Sequence, residues 1–278
     1  MSEKEVENQE KNSNDARLKQ NIDRIKHKLI VISGKGGVGK STVAVNVATG
    51  LAEMGKKVGI LDVDIHGPSL GKMLGIEGKN LQSSADSAFP RPIEVKKNLY
   101  AMTISSLLPN PDEPIIWRGP LKMGAIRQFL QDIEWPELDY LIIDSPPGTG
   151  DEPLSVVQLL KQVDGSLIVS TPQDIALLDA RKTIKFSDKL GVPVIGLIEN
   201  MSTFICPHCH KTIDIFKGNG VTKAATDFNL EVLGKIPIEP ELAIAGDQGR
   251  SVYSDDKNTA TKKIFREIVE KIIKKVEK

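Results

Sequence analysis

The sequence predicts an α/β fold in three layers, with a mostly parallel central sheet and helices on both faces. Two observations lead to this prediction. Short apolar runs with the composition of buried strands alternate with stretches of helical periodicity. A glycine-rich loop stands between the first of these runs and a helical pattern. Because such alternation produces parallel crossovers, we expect one sheet that is covered on both sides.

The predicted strands cover residues 28–33, 57–61, 99–104, 140–144, 165–170, 194–199 and 232–236. Residues 79–97 and 105–120, which are rich in Pro, Ser and Asn, are predicted as loops over the sheet. Residues 1–15 offer almost no apolar side chain to pack, so they are predicted as a disordered tail before a single domain over residues 16–278. Leu18, Ile22 and Ile25 stand at helical spacing and predict a short helix ahead of the first strand.

Residues 34–41 read Gly-Lys-Gly-Gly-Val-Gly-Lys-Ser and fit the phosphate-loop pattern G-x-x-x-x-G-K-[ST]. In such a loop, backbone N–H groups surround phosphate oxygens, Lys40 neutralises charge and the Ser41 hydroxyl binds Mg²⁺. The helical pattern that follows ends at Gly55 and directs its N-terminus at the phosphates. The residues predicted to bind the nucleoside triphosphate, which the resemblances described below imply is ATP, are Gly34, Lys35, Gly36, Gly37, Val38, Gly39, Lys40, Ser41 and Thr42.

Two alternatives to a triphosphate site exist. Gly34, Gly36 and Gly39 also satisfy the dinucleotide pattern G-x-G-x-x-G, with acidic residues near the position of a ribose-binding acid. A glycine-rich turn without a ligand is the second alternative. The Lys-Ser pair directly after the last glycine favours the triphosphate interpretation, because a dinucleotide site has no use for it.

Carboxylates follow two of the predicted strands. Asp62 and Asp64 end the second strand, and alternation puts both on the same side at the carboxyl edge of the sheet. One is expected to hold the magnesium shell and the other to orient the attacking water, unless Asp64 caps a turn. Asp144 ends an apolar strand before a Pro-Pro-Gly turn and is predicted as the Walker B ligand of Mg²⁺, with the Gly148 N–H sensing the γ-phosphate. The predicted catalytic residues are Lys35, Lys40, Asp62 and Asp64.

The last segment, residues 259–278, places Ile264, Ile268, Ile272 and Val276 on one stripe with lysines opposite. This pattern predicts a helix that docks on the sheet, with a helix lying on a membrane surface as the alternative. The 278-residue chain has 37 basic and 37 acidic residues, which argues against nucleic-acid binding through bulk charge. No apolar run approaches a membrane span, and the N-terminus is unlike a targeting peptide, so a cytoplasmic location without a membrane partner is expected.

Lys35 is one lysine more than the phosphate loop needs. With it, the loop resembles the deviant Walker A class of ATPases, the group that contains MinD, ParA and the nitrogenase iron protein. In that class the equivalent lysine reaches across a dimer interface to the nucleotide of the other subunit. The resemblance therefore implies a homodimer in which a cation supplied in trans stabilises the charge of phosphoryl transfer. A solvated loop lysine is the alternative.

Cys206 and Cys209 are the only cysteines in the sequence and have C-x-x-C spacing. Zinc and iron-sulfur sites normally use four ligands, so one chain is two ligands short. A two-fold axis would bring two such pairs together and supply four thiolates to one iron-sulfur cluster. An intrachain zinc site that adds His208 and His210 is an alternative, and a redox or inert thiol pair is another.

Several collinear motifs together resemble the Mrp/ApbC iron-sulfur cluster carriers. They are Asp-x-Asp-Ile-x-Gly-Pro-Ser at 62–69, Trp-Arg-Gly-Pro at 117–120, Ile-Asp-Ser-Pro-Pro-Gly-Thr-Gly-Asp at 143–151, Pro-Gln-Asp-Ile-Ala at 172–176, and Glu-Asn-Met-Ser at 199–202 ahead of the cysteines. The similarity runs from about residue 29 to residue 252. Two departures stand out: an N-terminal cysteine set is missing, and residues 216–220 read Phe-Lys-Gly-Asn-Gly where Phe-Gly-x-Gly-Gly is usual.

This resemblance implies a homodimeric ATPase that holds a [4Fe-4S] cluster transiently, receives it from a donor and passes it to apo-proteins. By the same resemblance, Cys206 and Cys209 bind the cluster, while Lys35, Lys40, Ser41 and Asp144 handle ATP and Mg²⁺. Asn200 is implied to recognise adenine. Two functional alternatives are a spatial-organising ATPase of the MinD or ParA type that acts at membrane or DNA, and a zinc-stabilised binding module.

Overall fold

The computed structural model describes residues 3–64, 67–79, 81–83, 89–103, 106, 119–206, 208–209, 211–255 and 259–278. In chain order, their elements are α1 (Glu3–Asp23), β1 (Ile25–Ile32), α2 (Lys40–Glu53), β2 (Val58–Asp62), α3 (Leu70–Met73), β3 (Gln82–Ser83), β4 (Pro90–Arg91), β5 (Ile93–Lys96), β6 (Leu99–Met102), α4 (Gly119–Gln131), β7 (Leu138–Asp144), α5 (Asp151–Leu160), β8 (Gly165–Ser170), α6 (Asp174–Lys189), β9 (Val194–Ile205), β10 (Thr212–Ile213), α7 (Gly220–Asp227), β11 (Val232–Ile238), α8 (Pro240–Asp247) and α9 (Ala260–Val276).

A mostly parallel sheet forms the centre of the molecule. Within the described ranges it has nine strands in the order β10-β9-β8-β1-β7-β2-β6-β5, with β11 also paired to β9. The pairs β1–β7, β1–β8, β2–β6, β2–β7, β8–β9 and β9–β11 are parallel, whereas β5–β6 and β9–β10 are antiparallel. The predicted three-layer α/β fold is confirmed.

The sheet divides the apolar core into two layers. Along β1, Leu29 and Val31 face one layer and Ile30 and Ile32 face the other, as strand alternation requires. Helices α2 and α9 cover the first layer, while α4, α5, α6 and α7 cover the second. Each central strand is therefore buried on both faces, which explains why these strands read as continuous apolar runs.

All seven predicted strands are present, as β1, β2, β6, β7, β8, β9 and β11. The loop prediction for residues 79–97 is wrong at β5, which pairs with β6 and buries Ile93, and at the short β3–β4 pair. Strand β9 also continues six residues past the predicted end at Glu199, as far as Ile205. Most of the second predicted loop, together with the Trp-Arg motif at 117–118, lies outside the described residues, and α4 begins at Gly119.

Helix α1 differs from the expectation for the N-terminus, because it starts at Glu3 and so takes in residues 3–15, which were predicted as a disordered tail. The Asn21 amide anchors its end by donating to three main-chain carbonyl oxygens at and just after the end of α4, at 2.8–3.1 Å. Leu18 is buried beside this contact. Formation of the first turn is the unfavourable step in making a helix, and here the packed C-terminal turn of α1 provides it. The preceding residues, which are rich in the helix-favouring Glu, Lys and Gln, then extend the helix towards the N-terminus. Ile25, predicted as part of the helix, begins β1.

Helix α9 docks on the sheet, as the preferred interpretation of its pattern predicted. Its side chains Phe265, Ile268, Val269 and Ile272 are fully buried against α2 and β11. The apolar stripe is thus used in the core and is not presented to a membrane surface. Throughout the described part of the chain, no helix combines the length and apolarity needed to cross a membrane.

Candidate nucleotide and cysteine sites

The phosphate loop connects β1 to α2 and surrounds a cavity of about 220 Å³. Gly37 and Gly39 have φ of +77° and +81°, a left-handed conformation that favours glycine. The cavity is lined by residues 35–42 of the loop and also by Asp64, Ser69, Met73 and Pro147. Gly34 is needed for a different reason. A Cβ at this position would lie 2.7 Å from Asp179 Cβ, so the absence of a side chain lets the loop pack directly on α6.

Lys40 and Asp144 form a buried ion pair beneath the loop. Lys40 Nζ lies 2.5 Å from Asp144 Oδ1, and both side chains are almost fully buried. Burial raises the pKa of Asp144, while the Lys40 charge and hydrogen bonds from Lys40 and Ser41 oppose this shift. The other carboxylate oxygen, Asp144 Oδ2, is buried and has no hydrogen-bond partner among the described residues. A free carboxylate oxygen beside the Ser41 hydroxyl fits the oxygen ligands that Mg²⁺ prefers.

Asp62 and Asp64 occupy different environments, although alternation predicted one shared side. Asp62 is fully buried and accepts hydrogen bonds from Asp64 N at 2.9 Å and from Thr103 Oγ1 at 3.4 Å. Burial and the neighbouring Asp144 charge raise the pKa of Asp62 well above its ordinary value. Asp64 is half-buried and lines the loop cavity. Asp62 therefore closes the turn after β2, and among the described carboxylates Asp64 is the one that lines the loop cavity.

The extra loop lysine contacts a residue that sequence reasoning did not single out. Lys35 is half-buried, and its Nζ donates a hydrogen bond to Gln173 Oε1 at 3.0 Å. Gln173 stands at the N-terminus of α6 and belongs to the Pro-Gln-Asp-Ile-Ala motif at 172–176, which was the only signal for it in the sequence. In the single chain, the Lys35 ammonium group is therefore held by a hydrogen bond within its own chain.

Asn200 supports the phosphate loop from below. Its Nδ2 donates to the Val38 carbonyl at 2.8 Å, and only 5% of the residue is exposed. A Cβ on Gly39 would lie 2.1 Å from the same Nδ2, so the loop and the amide are in close contact. Adenine recognition by Asn200 stays a prediction.

The Pro-Pro-Gly turn lies against the other side of the loop. Gly148 has φ of +95°, and its N–H donates to the Ser33 carbonyl at 2.8 Å. The amide predicted to sense the γ-phosphate is thus engaged within the chain, and contact with a phosphate would require it to leave Ser33.

The two cysteines lie in a turn at the end of β9. The Cys206 N–H donates to the Lys211 carbonyl at 3.0 Å, which continues the pairing of β9 with β10. Both thiols are free; Cys206 is half-buried and Cys209 is exposed. Hydrogen bonds from the backbone N–H groups of Cys209 and His208 lower the pKa of Cys206. Such donors stabilise a thiolate, the form that binds metal.

The cysteine turn is short of ligands within one chain. Across the described ranges, no group of three or more His, Cys, Asp or Glu side chains is placed to hold a metal ion. His210, which the intrachain zinc alternative requires, and Pro207 lie outside those ranges. The described donor set thus remains two thiolates, which is half of what a four-ligand site needs.

Comparison with known proteins decides the family. The protein-family model described as ParA, NUBPL iron-transfer P-loop NTPase, matches residues 24–273. The chain belongs to this family. The resemblance to iron-sulfur cluster carriers drawn from the sequence motifs is thereby confirmed, and the chain is a P-loop NTPase of the iron-sulfur cluster carrier and assembly factor group.

Similar proteins carry names that fit this NUBPL-type family. The chain is 49% identical over 263 residues to an iron-sulfur cluster carrier protein of Methanocaldococcus jannaschii, covering 95% of this chain and 89% of that protein. It is 45% identical over 262 residues to the cytosolic Fe-S cluster assembly factor NUBP1 homolog of Caenorhabditis elegans, covering 92% and 83% of the two chains.

Solved structures agree with the fold of this NUBPL-type NTPase. A nucleotide-binding protein from Archaeoglobus fulgidus, solved in complex with ADP, superposes with a TM-score of 0.76 at 38% identity, covering 87% of this chain and 94% of that one. The cell division ATPase MinD of Pyrococcus furiosus superposes with a TM-score of 0.64 at 21% identity, covering 89% and 98%. The MinD likeness shows a shared fold and carries no statement about function.

Proposed function

We propose that the protein is a homodimeric ATPase that binds a [4Fe-4S] cluster with Cys206 and Cys209 of two copies and transfers it to apo-proteins. The observation that carries this proposal is the two-thiol turn, in which backbone donors stabilise the Cys206 thiolate. The described residues offer it no third ligand. Four thiolates then require a second copy. The cluster is cargo in this scheme, received from a donor protein and delivered to a recipient.

ATP is proposed to occupy the loop cavity, with its phosphates against the backbone of residues 34–42. Lys40 exchanges its contact with Asp144 for phosphate oxygens, which accounts for a buried lysine held next to the cavity. Ser41 and the free Asp144 oxygen would hold Mg²⁺, which supplies positive charge to the phosphates when bound. Asp64 is proposed to orient the attacking water, because it is the acidic side chain in the cavity lining.

Lys35 is proposed to act on the nucleotide of the second subunit. Within one subunit, the ammonium group of Lys35 donates a hydrogen bond to Gln173. Transfer to a neighbour's triphosphate supplies a cation where charge develops, which makes hydrolysis depend on dimerisation. We place this activity in the cytoplasm, with neither nucleic acid nor membrane as partner.

Anaerobic reconstitution tests the cluster proposal. The chain is treated with iron and sulfide, and visible absorbance, iron and sulfide per chain, and oligomeric state are measured. We expect one [4Fe-4S] cluster per dimer, lost in Cys209→Ser and in Cys206→Ser. His208→Ala is the control, because an intrachain zinc site would need this imidazole and a bridged cluster would not. A monomer with fully bound metal contradicts the proposal.

Subunit mixing tests the trans role of Lys35. Lys35→Ala and Lys40→Ala are each expected to lose ATPase activity, the first by removing the trans cation and the second by removing the loop lysine. In a mixed dimer, the Lys40→Ala subunit still lends Lys35 to the intact loop of its neighbour. Random mixing should therefore restore about a quarter of the wild-type rate, since half of the dimers are mixed and each has one working site. No recovery would place Lys35 in cis.

The spatial-organising ATPase is not favoured as an alternative. Its support was the basic C-terminal helix, and α9 buries the apolar face that membrane binding would use. The more similar relatives carry iron-sulfur names, whereas the MinD structures are about half as identical as the Archaeoglobus protein. ATP-dependent sedimentation with liposomes or DNA that is unaffected by Cys206→Ser would reverse this preference.

A further inference from the structure

Residues 172–174 lie between the phosphate loop and the cysteine turn. They follow β8, which stands between β1 and β9 in the sheet. Strand β1 leads into the phosphate loop, and β9 leads into the cysteine turn. All three strands run in the same direction, and β9 continues as far as Ile205, beyond Glu199, which pairs with Ser170 at the end of β8. The segment after β8 therefore leaves the sheet between the phosphate loop and the extended end of β9, and Pro172 and Asp174 line one cavity with Ile205 of β9.

On the nucleotide side, this segment holds the lysine proposed to act in trans. Gln173 Oε1 accepts a hydrogen bond from Lys35 Nζ at 3.0 Å. The preceding loop residue, Gly34, packs so closely on α6 that an added Cβ would meet Asp179 Cβ at 2.7 Å and Asp179 O at 2.8 Å. The start of the phosphate loop thus packs tightly against the second turn of α6.

On the cysteine side, the same segment contacts the turn before α7. The Gly220 N–H donates to the Pro172 carbonyl at 3.1 Å. An added Cβ on Gly218 would lie 2.3 Å from Pro172 O, and one on Gly220 would lie 2.7 Å from Gln173 O. These glycines therefore permit direct backbone packing on residues 172–173. They follow β10, whose residue Thr212 pairs with Ile205, the residue just before Cys206.

We propose that Gln173 is the positioning residue for Lys35, and that residues 172–174 link the position of Lys35 to the conformation of the cysteine turn. The inference rests on the proposed function and deepens it by naming the route through which nucleotide reaches the cluster. It also gives a role to two motifs that the nucleotide and cysteine sites do not use, Pro-Gln-Asp-Ile-Ala at 172–176 and the glycine-rich residues 216–220.

The physical basis is a choice between two partners for one ammonium group. The proposal requires that Lys35 leave Gln173 of its own subunit when it contacts a triphosphate across a dimer interface. ATP binding in the dimer thus breaks the hydrogen bond between Lys35 and Gln173. Hydrolysis, which removes the γ-phosphate, allows this hydrogen bond to form again. A ligand shifts a conformation only through such differential contacts. By reciprocity, a change at the cysteine turn must alter the affinity for ATP by the same factor.

Alkylation of Cys206 in the cluster-free chain tests the link. The rate with iodoacetamide is followed by peptide mass spectrometry in the absence of nucleotide, with ADP and with a non-hydrolysable ATP analogue. In the wild type, the analogue should change the rate by about fivefold relative to ADP, the lower end of typical coupling between sites. Gln173→Ala should bring the nucleotide-free rate close to the analogue-bound rate, because Lys35 is already released.

Two further variants make the result specific. Gln173→Glu holds Lys35 more strongly through a charge-assisted hydrogen bond, so about threefold to tenfold more analogue should be needed for the same change. Gln158→Ala, on the exposed face of α5, is the matched control and should behave as the wild type. Folding is not expected to suffer, since the Gln173 side chain makes no capping hydrogen bond to α6.

The link is refuted if Gln173→Ala keeps the wild-type response to the analogue, or if the wild type shows no response. Either result leaves the proposed function to stand on cluster reconstitution and subunit mixing, which do not involve Gln173. Conversely, a chain that binds no cluster but shows the full alkylation pattern would reject the proposed cargo and retain the link.

Discussion

Replacing Gly39 by alanine is expected to destabilise the phosphate loop through two separate costs. Gly39 has φ of +81°, and a side chain in this left-handed region costs about 1–2 kcal/mol. The added Cβ would lie 2.1 Å from Asn200 Nδ2, so the amide must leave the Val38 carbonyl. A buried carbonyl without a partner costs about 1–3 kcal/mol. The total loss in the free energy of unfolding is then about 2–5 kcal/mol.

A double-mutant cycle separates the two costs. Asn200→Ala removes the same hydrogen bond, at about 1–3 kcal/mol. In the double variant the bond is lost only once and the Cβ has room, so the cost stays at about 2–5 kcal/mol instead of the additive ~3–8 kcal/mol. The expected coupling is about 1–3 kcal/mol. Gly37→Ala is the matched control: φ is +77°, and apart from its two chain neighbours no described residue has an atom within 4 Å of the added Cβ, so it should add to Asn200→Ala without coupling.

Urea unfolding of the nucleotide-free chain, followed by far-UV circular dichroism, measures these differences as shifts of the midpoint at a common slope. Calorimetric titration with ADP on the same variants reports whether a loosened loop also binds phosphate less tightly. If the Gly39 and Asn200 substitutions proved additive, the amide would not be holding the loop, and the structural reasoning for Asn200 would be wrong.

Three further predictions follow from single residues. Because the pKa of Asp62 is raised in the folded chain, the contribution of Asp62 to stability is lost as the pH rises from the ordinary pKa of 3.8 towards the folded pKa. Asp62→Asn should therefore raise the urea midpoint at pH 7 and change it little near pH 4. A lower midpoint at pH 7 would contradict the sign of this effect. Lys217 has φ of +31°, so Lys217→Gly should stabilise the chain by about 1 kcal/mol, whereas Lys217→Ala should not. Backbone donors to Cys206 should place the midpoint of its alkylation–pH profile below about 8.5, the value of free cysteine, and a midpoint above it would exclude them.

The parts of the fold that the sequence predicts are those where local pattern and burial agree. Strands β1, β7 and β8 are buried on both faces, so their apolar runs are unambiguous. The edge strands β5 and β10 are short and lie in polar or proline-rich segments, where pairing to a neighbour decides the conformation. The extension of β9 was missed because residues 200–203 are mostly polar and give no strand pattern. The strand is also irregular there, since Met201 has φ of +57°.

The candidate site divides in the same way. The loop residues were predictable because their spacing carries the chemistry of phosphate binding. The different burial of Asp62 and Asp64 could not be predicted from the sequence. It depends on Thr103, which follows the neighbouring strand β6, and on Asp144 at the end of β7. The contact between Lys35 and Gln173 joins residues 138 positions apart in the chain, and only the order of strands brings them together.

Strand order therefore decides more of the proposed mechanism than any single motif does. With β8 between β1 and β9, the chain leaving β8 passes between the phosphate loop and the extended end of β9 that leads to the cysteine turn. A side chain at this crossing can contact Lys35, and its backbone can contact the glycines before α7. Had β8 stood at the sheet's margin, residues 172–174 would not lie between the phosphate loop and the end of β9. The order makes coupling geometrically available, and Gln173 with Gly218 and Gly220 supplies the contacts through which it would act.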